Sequence, residues 1–260
     1  MPYALAGDAK IYYETHGSGP AVLFVHGSGG HHAAWWQQVA ALSPSYTVIT
    51  IDLRGFGNSR WEADHDARNF PGDIIAVLDA VAASGGPSRA VLVGQSIGAA
   101  AALRAALNRP DRASGVILAH SLGGLQHEEL TALVQADRAV AEQIPVLDRL
   151  MTPEFRAQRP DLAFLFRQMG TFNTAKMQDL RNLNSDGPTV EELANAPFPL
   201  MLLAGEKDAV LSAATVRRAG ELLPSARVEV VKGAPHSMYW ETPHLFNDAV
   251  AGFLKDVATA

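Results

Sequence analysis

The chain has 260 residues, of which 48% are hydrophobic and 18% charged, so it has the composition of a folded globular protein and not of a disordered one. With 21 basic against 27 acidic residues and a net charge of −6, and with no basic block, nucleic acid is not expected as a partner. The absence of cysteine excludes disulfides, zinc–thiolate sites and cysteine nucleophiles.

The first ten residues lack a basic region followed by an apolar run and do not read as a signal peptide. No stretch approaches the ~20 apolar residues of a membrane span. A cytoplasmic protein is the expectation. Residues 3–15 alternate in polarity around Gly7-Asp8, which predicts an antiparallel hairpin at a sheet edge. Continuous apolar runs then recur at 21–25, 46–51, 89–94, 115–119, 200–204 and 227–231. Unbroken runs of this length are expected of parallel strands covered on both faces. Between them lie helix-like segments. Residues 69–83 carry Ile74, Ile75, Val77, Leu78 and Val81 on one side, and the alanine-rich 97–108 stops before Pro110. Residues 215–223 and 245–257 supply the later helices. This alternation predicts an α/β fold with a mostly parallel sheet.

The rhythm breaks between about Gly123 and Pro199. That region has helix-period apolar residues and several prolines but no clear strand, and it is expected to sit as a helical lid over the carboxyl edge of the sheet. Leu125, Leu147, Met151, Phe155, Phe164, Phe166, Met169 and Phe172 could line an apolar pocket or pack the lid onto the core. Arg149, Arg156, Arg167 and Arg181 could bind a substrate carboxylate or belong to solvated helix faces.

Chemistry concentrates at the strand ends. Gly94-Gln95-Ser96-Ile97-Gly98 matches G-x-S-x-G between a strand and a helix, a turn that exposes the serine hydroxyl at a strained apex. His120-Ser121-Leu122-Gly123 also follows a strand, but the long helical stretch comes next instead of one compact helix and a strand, so context favours Ser96. A serine hydroxyl needs a base. In proteins with this elbow the partners follow in the order Ser, Asp or Glu, His. The strand at 200–204 ends in Gly205-Glu206-Lys207-Asp208, and the next ends in Gly233-Ala234-Pro235-His236. Asp208 and His236 are therefore the expected acid and base, with Glu206 as the rival acid. Asp111 precedes its strand and falls at the wrong edge, and His244 reads as surface. The oxyanion donors are expected to be the N–H of Ile97 and that of Ser28 in His26-Gly27-Ser28-Gly29-Gly30, with Gly29 as the alternative. His31-His32 has no neighbouring carboxylate in the sequence to complete a metal site, and no phosphate-loop pattern is present, so neither metal nor cofactor is expected.

Together with Asp52-Leu53-Arg54-Gly55-Phe56-Gly57-Asn58-Ser59, these motifs resemble the α/β-hydrolase superfamily, closest to the capped subgroup of carboxylesterases, lactonases, cofactor-free perhydrolases and carbon–carbon bond hydrolases. The resemblance implies a mostly parallel eight-stranded sheet flanked by helices, with a core of residues 1–122 and 199–260 and a helical cap of residues 123–198. It also implies a small-molecule ester or lactone substrate. Carbon–carbon bond hydrolysis of a diketone-like acid, or a ligand-binding receptor on the same fold, are the alternatives. Asp52 and Arg54 are expected to pair locally. Pro235 departs from the glycine usual before the family's histidine. A serine at position 96 argues against the dehalogenase and epoxide hydrolase branches. Monomer and homodimer are both open.

Overall fold

In the computed structural model, which describes residues 2–259, the apolar runs become strands of one eight-stranded sheet. The hairpin of β1 (Tyr3–Ala6) and β2 (Ala9–His16) lies at one edge and is antiparallel. The rest, β3 (Ala21–Val25), β4 (Thr47–Ile51), β5 (Ala90–Gln95), β6 (Ala113–Ala119), β7 (Leu200–Gly205) and β8 (Arg227–Val231), run parallel. The order across the sheet is β1-β2-β4-β3-β5-β6-β7-β8.

Strand geometry divides the side chains between two cores, because successive residues point to opposite faces. Leu23 and Val25 of β3 join one cluster, with Ile74, Val77 and Leu78 from α2 (Phe70–Ala83) and the alanines of α3 (Ile97–Asn108). Val22 and Phe24 join the other, with Trp35 and the last helix, Pro243–Thr259. Trp35 is fully buried there, its ring 4.9 Å from Phe24 and 4.7 Å from Tyr239. Alanines at 99–102, 105 and 106 let α3 lie close on the sheet, which a helix of larger side chains would be held away from.

Sequence reasoning missed two short helices that pack against that second face: α1 (Trp36–Leu42), and a four-residue turn Met238–Glu241 directly after His236. Neither is long enough for a clear 3.6-residue period. Helix Ala213–Leu222 begins two residues before the expected 215, because Ser212 caps it by accepting from Thr215 N.

The connection from β6 to β7 holds no strand and carries the helices Glu128–Glu142, Val146–Leu150, Pro153–Gln158, Pro160–Met169 and Val190–Ala194, with a mostly irregular stretch over residues 173–189. Its two ends meet where Gln126 N donates to Pro188 O at 2.8 Å. It is tied to the sheet layer by polar contacts. Arg104 on α3 donates to Leu183 O and Asp186 O, and Asn173 donates to Gly30 O while accepting from Gly57 N at 2.9 Å. No helix among the described residues is long and apolar enough to cross a membrane.

Arg54 corrects the expectation of local pairing with Asp52. It reaches instead to Asp73 on α2, with Nε 2.9 Å from Oδ2 and a second contact through Nη2, and its guanidinium lies 5.1 Å over the Trp61 ring. Asp52 is held elsewhere, accepting from His32 N and Asn58 N. Asp73 is wholly buried. Asp73→Ala would strand a nearly buried cation, and we expect unfolding by urea to show a loss of about 3–5 kcal/mol. A loss under ~1 kcal/mol would mean that the guanidinium finds water.

Candidate active site

The strand register brings the expected residues to one rim. Gln95 pairs with Ala119, Ala119 with Leu203, and Gly205 with Val231, so the loops after β5, β6, β7 and β8 leave the sheet side by side. Ser96 lies directly after β5, at φ 54° and ψ −118°, a conformation that costs a non-glycine residue about 1–3 kcal/mol. The elbow glycines are sterically required. A Cβ on Gly94 would come 2.4 Å from Gly98 O, and one on Gly98 would come 2.4 Å from Val25 O. Ser96 occupies the N-cap position of α3, yet its hydroxyl makes no capping bond, and among the described residues it has no hydrogen-bond partner at all. No hydrogen bond joins it to the His236 ring, and catalytic contacts of this kind tighten when substrate binds.

The rival motif behaves differently. There the positive φ, 58°, falls on His120, and the Ser121 hydroxyl accepts from Gly123 N at 3.1 Å. Ser121 therefore spends its oxygen on the turn that starts the helical insertion.

Asp208 and His236 meet. His236 Nδ1 is 2.9 Å from Asp208 Oδ2 and 3.0 Å from Oδ1. Asp208 Oδ1 also accepts from Val210 N and Leu211 N, which fixes the carboxylate in its own loop. Burial works against charge on Asp208, but the His236 and His120 imidazoles hold its carboxyl well below the usual carboxylate range. The rival Glu206 is exposed and accepts from Gly233 N, bracing the loop before His236. Asp111 sits before β6 in an exposed pair with Arg109, and His244 is exposed at the start of the last helix.

The loop after β3 abuts the elbow, for a Cβ on Gly27 would lie 3.4 Å from Ser96 Cβ. Ile97 N–H opens α3 and has no intrahelical acceptor, and Ser28 N–H has no protein acceptor among the described residues. His26 anchors this loop. Its Nε2 accepts from Leu53 N at 3.0 Å, which puts the proton on Nδ1, 2.8 Å from Gly27 O. Burial pushes the His26 imidazole down to about 4. The folded state therefore resists protonation that the unfolded chain accepts near pH 6.5, so this contribution is complete above pH 6.5 and is lost as pH falls toward 4. We expect urea titrations to give a stability about 2 kcal/mol lower at pH 5 than at pH 7, with a flatter dependence in His26→Gln. Equal stability at the two pH values would contradict the neutral, buried assignment.

The fold supplies what the sequence lacked beside His31-His32. Asp52, twenty residues on, lies 2.8 Å from His32 Nδ1, and donor atoms of all three residues fall within 4.8 Å of one another. His120, Asp208 and His236 form a second group of that size. Hydrogen bonds account for the close contacts in both: Asp52 accepts from His32 N, His32 Nδ1 and Asn58 N. We assign a metal to neither.

The insertion's side chains divide. Met151, Met169 and Leu125 are buried, and Leu147, Phe155 and Phe166 pack partly buried against the second core. Phe164 and Phe172 are mostly exposed, the latter edge-to-face with the His31 ring. The four arginines have local partners: Ala141 O for Arg149, Asp148 for Arg156, the Phe164 ring for Arg167 and Asp64 for Arg181. A cavity of about 210 Å³ lies between the insertion and the His236 loop, lined by Arg149, Thr152, Glu154, Lys207 and Pro235 among others, and does not include Ser96. His120 is the residue sequence reasoning passed over. Its only signal was a place at the end of a strand next to a rejected serine.

A model of the alpha/beta hydrolase family matches residues 22–249. The 2-(acetamidomethylene)succinate hydrolase of Mesorhizobium japonicum is 27% identical, over 95% of this chain and 92% of its own length. The pimeloyl-(acyl-carrier protein) methyl ester esterase of Vibrio campbellii is 26% identical, over 88% and 92%. Among solved structures, a thermophilic esterase from Thermogutta terrifontis superposes with a TM-score of 0.81 over 99% of each chain at 23% identity, a likeness of fold. The eight-stranded sheet, the strained turn after β5 and a family match across most of the sequence lead to one conclusion: the chain belongs to the alpha/beta hydrolase family.

Proposed function

We propose that the chain is a serine hydrolase that cleaves a carboxylic ester or lactone of a small, largely apolar substrate through an acyl-Ser96 intermediate. Ser96 Oγ attacks the carbonyl carbon while His236 Nε2 takes its proton. Asp208 holds the ring with Nδ1–H toward itself and stabilises the cation that forms. Negative charge then develops on the former carbonyl oxygen, and the N–H groups of Ile97 and Ser28 (or Gly29) meet it, each donor worth about 3–4 kcal/mol in the transition state. His236 returns the proton to the leaving alcohol, and water repeats the sequence to free the acid. Residues 123–198 act as a cap that excludes water and selects the acyl and alcohol groups.

One observation carries the reading. Ser96 is held at φ 54° with its hydroxyl unspent, at the rim where the Asp208–His236 couple lies. Strain of this kind persists where the surrounding structure requires it. The relatives named as hydrolases of an ester and of an acetamido compound support acyl transfer in general. The test is a panel of short-chain aryl esters, lactones and vinylogous diketone acids, with fluorophosphonate labelling mapped by peptide mass. Ester or lactone turnover with label on Ser96 is the expected result. Cleavage of the diketone acids alone would replace this reading with carbon–carbon hydrolysis, and no turnover and no label would replace it with ligand binding.

A further inference from the structure

Asp208 carries two imidazoles, and the chemistry above uses one. The second is His120, in the residue after β6. Its ring is wholly buried, its Nδ1 lies 2.9 Å from Asp208 Oδ2, and its backbone N–H donates to Leu203 O at 2.7 Å. The ring stands edge-to-face with His236, centroids 5.4 Å apart. Its other nitrogen, Nε2, is buried without a partner among the described residues.

Two costs attend this placement. A histidine at φ 58° is in the left-handed region, and a buried ring nitrogen without a partner forgoes a hydrogen bond. The gain that offsets them is the bond to Asp208. Oδ1 of that carboxylate has two backbone donors, whereas Oδ2 has only the two histidine rings. Without His120, Oδ2 would keep only a share of the His236 Nδ1–H, which also lies 3.0 Å from Oδ1.

We infer that His120 is a positioning residue for the Asp208–His236 couple: it donates Nδ1–H to Oδ2, fixes the carboxylate plane from the side opposite its own loop, and draws off part of its charge. The inference rests on the proposed roles of Ser96, Asp208 and His236. Asp208 and His236 are the titratable groups that act on His120, and burial keeps its ring from charging. A neutral donor on the carboxylate weakens its hold on an imidazolium. The second ring therefore lets the enzyme stay active to lower pH than a couple with one imidazole.

The experiment is the pH dependence of kcat/KM on a short-chain aryl ester. Glycine and asparagine both tolerate positive φ, and an asparagine amide offers a donor near the place of Nδ1. His120→Gly should move the acidic limb up by about one pH unit, so that kcat/KM on that limb falls about tenfold. His120→Asn should reverse most of that shift. An acidic limb unmoved in a cooperatively folding His120→Gly overturns the inference. A second readout needs no variant at position 120. In the histidine-15N-labelled protein, two hydrogen-bonded Nδ1–H signals should be lost on Asp208→Asn, and loss of one alone overturns the inference even if His120→Gly does not fold. Activity surviving in Ser96→Ala would instead overturn the underlying reading, so the two failures are distinguishable.

Discussion

Ser96→Ala should lower aryl-ester turnover by about six orders of magnitude while leaving a cooperatively folded protein. The two halves of this expectation have separate grounds. Covalent catalysis has no substitute for the missing oxygen, and the neighbouring serine does not replace it because the Ser121 hydroxyl is bonded to Gly123 N. Stability is indifferent to the change for a different reason. The Ser96 hydroxyl neither caps α3 nor bonds to any described residue, so its removal breaks no intramolecular hydrogen bond. Alanine bears the same backbone strain as serine at φ 54°, so the elbow is neither relieved nor worsened. Initial rates and the melting temperature measure both halves. A rate within tenfold of the parent would remove Ser96 from the chemistry, and a collapsed melting transition would make it structural. Glycine at position 96 is the informative companion, since it would relieve the strain and raise the melting temperature while remaining inactive.

The sheet was legible because its physical cause is local. A buried parallel strand must be apolar along its whole length, so runs such as 21–25 and 200–204 declare themselves, and the hairpin announces itself by alternation around Gly7-Asp8. The elbow was legible because its glycines are fixed by backbone approach within a few residues, as the Gly94–Gly98 contact illustrates. Relations set by the tertiary fold were not legible. The register that lays Ala119 beside Leu203 brings His120 to Asp208 across 88 residues, and no spacing in the sequence encodes that. The same holds for Asp52 beside His32 and for Arg54 with Asp73, pairs that lie 20 and 19 residues apart in the chain. The insertion stayed ambiguous because an apolar residue on a short helix reads alike whether it faces the core, as Met169 does, or solvent, as Phe164 does.

Asp208→Asn should keep the fold and lower kcat/KM by about four orders of magnitude. The hydrogen bonds around this side chain dictate how the asparagine must sit. Oδ1 accepts from Val210 N and Leu211 N, so the amide oxygen takes that position and the NH2 group falls where Oδ2 was. There it faces Nδ1 of both His120 and His236, each within 2.9 Å of the original oxygen. An NH2 group only donates, so each ring must turn Nδ1 into an acceptor and move its proton to Nε2. His236 then presents N–H, not a lone pair, and cannot take the Ser96 proton. Geometry survives while chemistry stops, and the loss should appear in kcat with a small change in melting temperature. The rival acid gives the opposing outcome a definite meaning. Glu206 is exposed and bonded to Gly233 N, so Glu206→Gln should cost less than tenfold. A near-normal Asp208→Asn together with an inactive Glu206→Gln would transfer the acid role to Glu206 and reduce the buried Asp208 cluster to a structural tie between the loops after β6, β7 and β8.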